Sequence, residues 1–412
     1  MPRLKAPTSE TNDRMLTVQQ AIARINDSLS PLDTTTVPLS ESRGLTLAAD
    51  VVSSLDSPPF DKALMDGFAV RSDDCSGATT LNVVEEVTAG RVAEKTVQAG
   101  QAIQIMTGAP LPNGADAVVQ IELTKLDGNK VTIEPSVPLG ANILTQGASI
   151  QNGAIVLRQG TTIRPQEIGL LAELGCHSIL VRRRPRIAIL ATGDELVPIN
   201  EEPGPGQIRN SNESMLAAQV ENAGGIPVPL GVARDEVEHL ALGISLGLQA
   251  DMLILSGGVS AGKLDLVPSE LSKAGVEKVF HKVQVKPGKP VWFGVAGADN
   301  KSIPVFGLPG NPVSSMVCFE LFVRTAIRKL VQARQHTTVH TLPLAKEAAP
   351  NVARPTYHPA RLVDGDAGTR VQLVDWVGSA DLCCTVDATG MALIPMGQSP
   401  LPAGESVRYF PW

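Results

Sequence analysis

The stretch IAILATGDE, Ile187–Glu195, decides the fold. Five apolar residues run without a polar break, and the chain then turns through Thr192, Gly193, Asp194 and Glu195. An unbroken apolar run marks a strand buried on both faces, which a parallel sheet requires. The basic run RRRPR, Arg182–Arg186, opens this region. Downstream, the pattern predicts a helix near Ser211–Ala223 ended by Gly224 and Gly225, then a strand at Pro227–Val232. A helix at about Glu236–Leu248 and a strand at Met252–Leu255 follow, then a glycine-rich turn and a helix near Pro268–Ala274. Strands near Lys278–Val285, Val291–Val295 and Val305–Leu308 lead to a PGNP turn and a long helix, Pro312–Leu330. Strands alternating with helices give a doubly wound, mostly parallel α/β domain with helices on both faces.

Toward the N-terminus the pattern changes. Thr17–Leu29 reads as a helix, with Thr17 and Gln20 as a capping box and Val18, Ile22, Ile25 and Leu29 as one apolar stripe. From about Thr36 to Ile163, short β-branched runs such as GFAV, LNVVEEV and KVTIEP are cut by Gly, Pro, Asn and Asp, the pattern of an all-β region. A short helix follows at Pro165–Leu174. The tail, about Thr338–Trp412, returns to short strands with turns at Asp364–Gly365 and Ala403–Gly404, and reads as a small β-barrel or sandwich.

Bulk properties narrow the function. At 412 residues the chain exceeds one ordinary core, and two to four domains are expected at roughly 100–200 residues each. The net charge of −7 argues against a nucleic-acid surface or an anionic membrane as partner, while leaving room for a local basic pocket. Aromatics at 3% are too sparse for base-stacking platforms. Cys75, Cys176, Cys318, Cys383 and Cys384 are odd in number and contain no CxxC, so neither a disulfide framework nor a zinc site follows. Buried free thiols are expected, and the pair Cys383–Cys384 would alternate across a strand. The polar start lacks a signal-peptide core and no run of about 18 apolar residues exists, so the cytoplasm is the expected location.

In an open parallel sheet, ligands bind beyond the carboxyl ends of the strands. Those ends are Gly193-Asp194-Glu195, Arg234-Asp235, the run Ser256-Gly257-Gly258-Val259-Ser260-Ala261-Gly262 with Asp265 beyond it, and Pro309-Gly310-Asn311-Pro312. Glycines allow close backbone approach, and amides backed by a helix N-terminus cradle an anion. Asn311 and Pro312 suit the N-cap and first position of a helix. Asp194, Glu195, Asp235 and Asp265 would repel a phosphate unless a hard cation such as Mg2+ stands between, and these four are the candidate metal ligands. Lys286 and Lys289, in VKPGKP, can supply positive charge directly. Each motif alone has a plainer meaning: SGGVSAG an ordinary turn, GDE a solvated loop, PGNP a helix cap. Their joint position at one edge favours a site. In the β region, PPFDKALMDGFAV holds Asp61 and Asp66, and MTGAPLPNGADAVV holds Thr107. Asp66-Gly67 alone reads as a hairpin turn.

At these residues the chain resembles the molybdopterin molybdenumtransferase family, related to the C-terminal domain of gephyrin. SPPFDKALMDGFAVR, IMTGAPLPNGADAVV, ILATGDELV, LSGGVSAGKLDLV, VKPGKPVWFG and GLPGNPVSS occur in the family's order. The tail (RPTYHPARL, GSADL, ATGMALIP, LPAGESV) looks like the family's last β-domain. The resemblance implies four domains: an elongated one from residues 1–55 and 145–182, an inserted β-domain 56–144, an α/β molybdopterin-binding domain 183–335 and a C-terminal β-barrel 336–412. It implies a homodimer whose active site is shared between subunits, with molybdopterin-AMP and molybdate as substrates, Mg2+ as cofactor and AMP and molybdenum cofactor as products. By motif match, Asp66, Thr107, Glu195, Asp235, Asp265, Lys282, Lys286, Lys289, Pro309 and Pro312 fall on functional positions, and Ser314 follows in GLPGNPVSS. Two stretches depart. An aspartate position reads Ser149, and the family's Phe-x-Arg reads Tyr357-His358-Pro359 with Arg361 two residues later. Alternatives are a dimeric scaffold with a degenerate molybdate site, and a tungsten-preferring or adenylating relative.

Overall fold

The computed structural model describes residues 15–258, 266–297, 302–334, 339–365 and 368–412. Two compact units divide them. One takes the chain up to Ala48, Gly160–Arg164 and everything from Ser178 onward; the other takes Ala49–Gln159 and Pro165–His177.

The second unit is built on a six-stranded mixed sheet. Its order is Ala117–Gln120, Gly67–Val70, Gln101–Ile105, Thr79–Val87, Lys130–Ile133 and Thr124–Asp127. Only Thr79–Val87 and Gln101–Ile105 run parallel. Phe68 and Val70 enter one apolar cluster, and Ala69 between them enters another, so the sheet is covered on both faces. That is why GFAV shows no polar alternation. Gly67 is not a hairpin turn but the first residue of its strand, and a Cβ there would overlap the Val119 carbonyl oxygen. The expected Asp-Gly turn thus gives way to a close approach of two strands.

The first unit holds the sheet that the apolar runs foretell. Its order is Ile226–Ala233, Arg186–Thr192, Met252–Ser256, Ile303–Leu308, Trp292–Ala296 and Glu277–His281. The first four strands are mutually parallel; Trp292–Ala296 runs antiparallel to Ile303–Leu308, and Glu277–His281 pairs antiparallel with Trp292–Ala296. Ile187 and Ile189 point into a core shared with Val18, Ile25, Leu216 and Phe319, while Ala188 and Leu190 point into one with Leu240, Ile244 and Leu271. Each large side chain so buried contributes about 1.5–3 kcal/mol. The N-terminal helix, Val18–Ser28, carries the expected capping box. The long C-terminal helix is interrupted: Pro312–Cys318 and Arg324–Leu330 are α-helical, but Phe319–Val323 forms a π-helical turn. Strand order reverses between Arg186–Thr192 and Met252–Ser256, and a crevice opens at such a switch point.

The tail forms a five-stranded antiparallel sheet, ordered His340–Pro343, Ser406–Pro411, Gly390–Ile394, Thr356–Gly365, Gly368–Leu373. It curls until one bridge, Leu344 to Val371, links its edges. The expected barrel is therefore a curled sheet whose edges share no full ladder among the described residues. Cys383 and Cys384 lie on a 3-10 helix, Cys383–Asp387, rather than a strand. Only Cys75 and Cys318 are buried, so the expectation of buried thiols holds for two of the five.

Candidate active site

Local geometry explains why the strand ends converge. After Arg186–Thr192 the chain turns at Gly193, whose φ of 140° suits glycine. The Glu195 carboxylate folds back over Gly193, where a Cβ would collide with it. Gly257 and Gly258, at φ 97° and 61°, press against the preceding strand end. A Cβ on Gly258 would stand 2.7 Å from Thr192 Oγ1, and one on Gly257 2.6 Å from the Thr192 carbonyl oxygen. Bare backbone is thus what allows two parallel strands to end side by side.

A crevice of about 650 Å³ lies over these ends. Gly193, Glu195, Asp235, Ser256, Gly257, Gly258, Pro309, Gly310, Asn311 and Pro312 all line it, so four separate strand ends meet there. Asp194 lines an adjoining hollow that shares Gly193 and Leu196, and its Oδ1 accepts from the Asp235 amide at 3.2 Å. Burial, and then the charges of Asp194 and Glu195, push the Asp235 carboxyl above its ordinary range. Asp235 thus feels the charge of both neighbours. Even so, no group of three or more His, Cys, Asp or Glu among the described residues is arranged to hold a metal, so the expected four-carboxylate cage is not formed by them. Asp265, with Ser260 and Gly262, lies outside the described residues. Hard oxygens on one rim suit an ion such as Mg2+ that keeps much of its water and takes one or two carboxylates plus phosphate.

Asn212 is a residue that motif reading missed. Its Nδ2 donates to Ser256 Oγ at 2.9 Å and to the Gly310 carbonyl at 2.7 Å, tying two strand ends together. Its Oδ1 is buried without a hydrogen-bond partner, as is Thr192 Oγ1, and both residues line the crevice. Unpaired buried acceptors are groups that a water or a ligand donor can satisfy. The signal in the sequence was its place two residues after Asn210, which caps the helix Ser211–Asn222.

A second cavity of about 450 Å³ shares Pro290, Pro309 and Asn311 with the crevice. Lys286, Lys289, Arg354, Ser314 and Ser379 line it. The tail builds one wall. Lys286 and Thr356 form a bridge, with the Tyr357 amide donating to the Lys286 carbonyl at 2.7 Å, and Arg354 Nη1 donates to the Val285 carbonyl at 2.9 Å. The tail's guanidinium in this cavity is thus Arg354; Arg361 lines neither cavity and lies on a strand opposite Gln372. Asn311 occupies the N-cap position, yet its side chain does not cap the helix: Nδ2 donates to Ser379 Oγ at 2.8 Å. Lys282 lines neither cavity and sits at φ 71°, its amide donating to Val291.

Within the second unit, Asp66 Oδ1 accepts from the Thr107 amide at 2.7 Å and from Thr107 Oγ1 at 2.6 Å. Those bonds hold the Asp66 carboxyl below its usual range. Asp61 instead accepts from the Gln146 amide at 2.7 Å, a loop-holding role. Ser149 is exposed, its amide bonded to the Ser57 carbonyl.

Fold and site together define a ligand-binding α/β protein with its crevice at the carboxyl edge of a parallel sheet. Comparison with known proteins makes this specific. Residues 16–175 match the MoeA N-terminal region (domain I and II), and residues 188–329 match a probable molybdopterin binding domain. A molybdopterin molybdenumtransferase from Nostoc sp. is 35% identical over 403 residues, covering 92% of this chain and 88% of its own. Molybdopterin molybdenumtransferase 2 of Mycobacterium tuberculosis is 40% identical over 324 residues, covering 75% of this chain and 78% of its own. The crystal structure of the molybdopterin biosynthesis moeA protein from Pyrococcus horikoshii OT3 superposes with a TM-score of 0.84 at 30% identity, covering 97% of this chain and all of that one. The chain belongs to the molybdopterin molybdenumtransferase family, enzymes of molybdenum-cofactor biosynthesis. It is accordingly an enzyme and a transferase, not a scaffold alone. No helix among the described residues is long and apolar enough to cross a membrane.

Proposed function

We propose that the chain inserts molybdate into adenylylated molybdopterin and releases AMP, the last step of molybdenum-cofactor synthesis. The observation that carries this reading is the shared wall of Pro290, Pro309 and Asn311 between an acidic, glycine-lined crevice and a basic cavity. The crevice suits the pyrophosphate that joins AMP to the pterin. The cavity suits an oxyanion, which Lys286, Lys289 and Arg354 can hold by charge and Ser314 and Ser379 by hydroxyl donation. Glycine at 257 and 258 lets the phosphates approach the backbone closely, while the Gly257 amide is given to the Leu308 carbonyl and the Val313 amide to the Ser379 carbonyl. Asp194, Glu195 and Asp235, with Asp265, would hold Mg2+, which neutralises pyrophosphate charge when bound.

The same proposal includes a homodimer in which Asp66 and Thr107 serve a shared site. Mixing Asp66→Ala with Glu195→Ala protein should restore part of the activity; no restoration refutes sharing. For the reaction itself, purified protein is incubated with molybdopterin-AMP, Mg2+ and molybdate, and AMP is measured. Absence of AMP release, where a known family member turns over, sinks the proposal. A tungstate arm separates the metal preferences.

A further inference from the structure

At the opposite, amino edge of the parallel sheet lies a cavity of about 790 Å³ that shares no lining residue with the active-site cavities. Six arginines line it: Arg164, Arg182, Arg184, Arg324, Arg328 and Arg334. Glu221 is the only carboxylate among its described lining residues. In a chain of net charge −7, this concentration runs against the bulk composition.

Part of it has a local cause. The helices Ser211–Asn222 and Arg324–Leu330 both end here, and exposed carbonyls at helix C-termini favour cations. Arg182 donates through Nη1 to the Leu32 carbonyl at 2.5 Å and through Nη2 to Gln332 Oε1. Arg184 donates to the Arg43 carbonyl at 3.3 Å. Such bonds position a guanidinium without neutralising it. Glu320 pairs with Arg324 at 2.6 Å, but Arg182, Arg184 and Arg334 form no ion pair among the described residues. Arg182 Nε is buried with no hydrogen-bond partner. Arg328 is held below the ordinary guanidinium range by burial and then by the charge of Arg324, with Glu320 acting the other way. Helix ends alone call for one or two cations. They do not account for guanidiniums brought from four chain segments to one cavity.

Clustered like charges cost free energy, and a bound anion recovers it. Guanidinium forks match phosphoryl oxygens in pairs, so one phosphate engages roughly two or three of them. Filling this cavity takes more than one. We infer that the arginine-lined cavity is a second ligand site, binding a small anion that carries two or more linked phosphoryl groups. With Glu221 as the single carboxylate among its described lining residues, it binds without a divalent cation.

The test is calorimetry of the full-length chain with inorganic triphosphate and, separately, ATP, in EDTA at low salt. Arg184 and Arg334 are exposed, so Arg184→Glu/Arg334→Glu leaves the core intact; Arg184→Gln/Arg334→Gln is the substitute if melting shows misfolding. To remove the contribution of the other basic cavity, the same measurements are made in a Lys286→Ala/Lys289→Ala background. In both backgrounds the charge-reversed pair should weaken binding by about tenfold or more, and Arg184→Lys/Arg334→Lys should restore most of it. Equal affinity for triphosphate and ATP supports the site and names free polyphosphate chemistry. Tighter ATP binding also supports it and names a nucleotide. Absence of binding at about 1 mM, or binding indifferent to charge reversal, overturns the inference. So does an oligomer that dissociates on charge reversal while binding no polyphosphate, since a second copy of the chain would then cover the arginines.

Discussion

The two edges of one parallel sheet carry opposite chemistry. At the carboxyl edge helices begin: Asn210 caps Ser211–Asn222 by accepting from the Glu213 amide at 3.3 Å, and Pro312 opens the next helix. At the amino edge the same helices end, and arginines gather. Crossover helices run back against the strands, so amide donors collect at one edge and carbonyls at the other. Acidic side chains suit the first and basic ones the second. The difference lies in what a phosphate meets on arrival. At the carboxyl edge Glu195 and Asp235 oppose it, and the proposed function places a mediating cation between them. At the amino edge Glu221 is the only carboxylate among the described lining residues, and six arginines outnumber it.

The sharpest way to break this contrast is Glu195→Ala. Turnover, read as molybdate-dependent AMP release, should fall at least about a hundredfold; an unchanged rate removes Glu195 from the reaction. EDTA should likewise abolish AMP release. Next in size is a purely structural control at the amino edge. Asp251 is buried and takes a forked ion pair from Arg183 at 2.5 and 2.6 Å and a bond from the Arg186 amide at 2.9 Å. Asp251→Ala should cost about 3 kcal/mol in denaturant unfolding while substrate KM stays put. Gly258→Ala forces a side chain into φ 61° against Thr192 Oγ1, and should cost about 1–2 kcal/mol and weaken AMP binding as well. If stability falls but AMP binding does not, the glycine turn is only scaffolding. Arg354→Ala should raise the molybdate KM about tenfold with kcat within about twofold, the mark of lost ground-state binding.

The smallest effect concerns pH. His358 packs edge-on against Trp376, which lines the basic cavity. Burial holds its imidazole below the ordinary value; the Pro359 carbonyl acts against this and the Lys286 charge with it. A depressed histidine favours the neutral form in the fold. Its contribution is complete above the unfolded value, about 6.5, and is lost as pH falls through it. Tm should therefore drop more between pH 7 and pH 5 in the wild type than in His358→Gln; equal drops contradict this assignment.

Reading the chain in one dimension recovers the elements and the acidic crevice, because both are local. The apolar run before GDE, the capping box at Thr17 and the glycines after Ser256 each report their own backbone needs. Arg354 and Asn212 were not legible in the same way. One needed the tail to lie along VKPGKP, and the other needed two strand ends to be within reach of one amide. The Asp-Gly pair at 66–67 misled because a turn and a tight strand approach both demand glycine.

What the sequence settled by itself is the alternation of strands and helices, the family, and the set of acidic and glycine-rich turns, since these follow from periodicity and from motifs contiguous in the chain. What only the tertiary structure decided is which charges become neighbours. Six arginines spread from Arg164 to Arg334 form a cluster only after helix ends and strand starts are packed at one edge, and three carboxylates share a rim without forming a cage. Electrostatic partnership depends on distance through space, and no linear pattern encodes it.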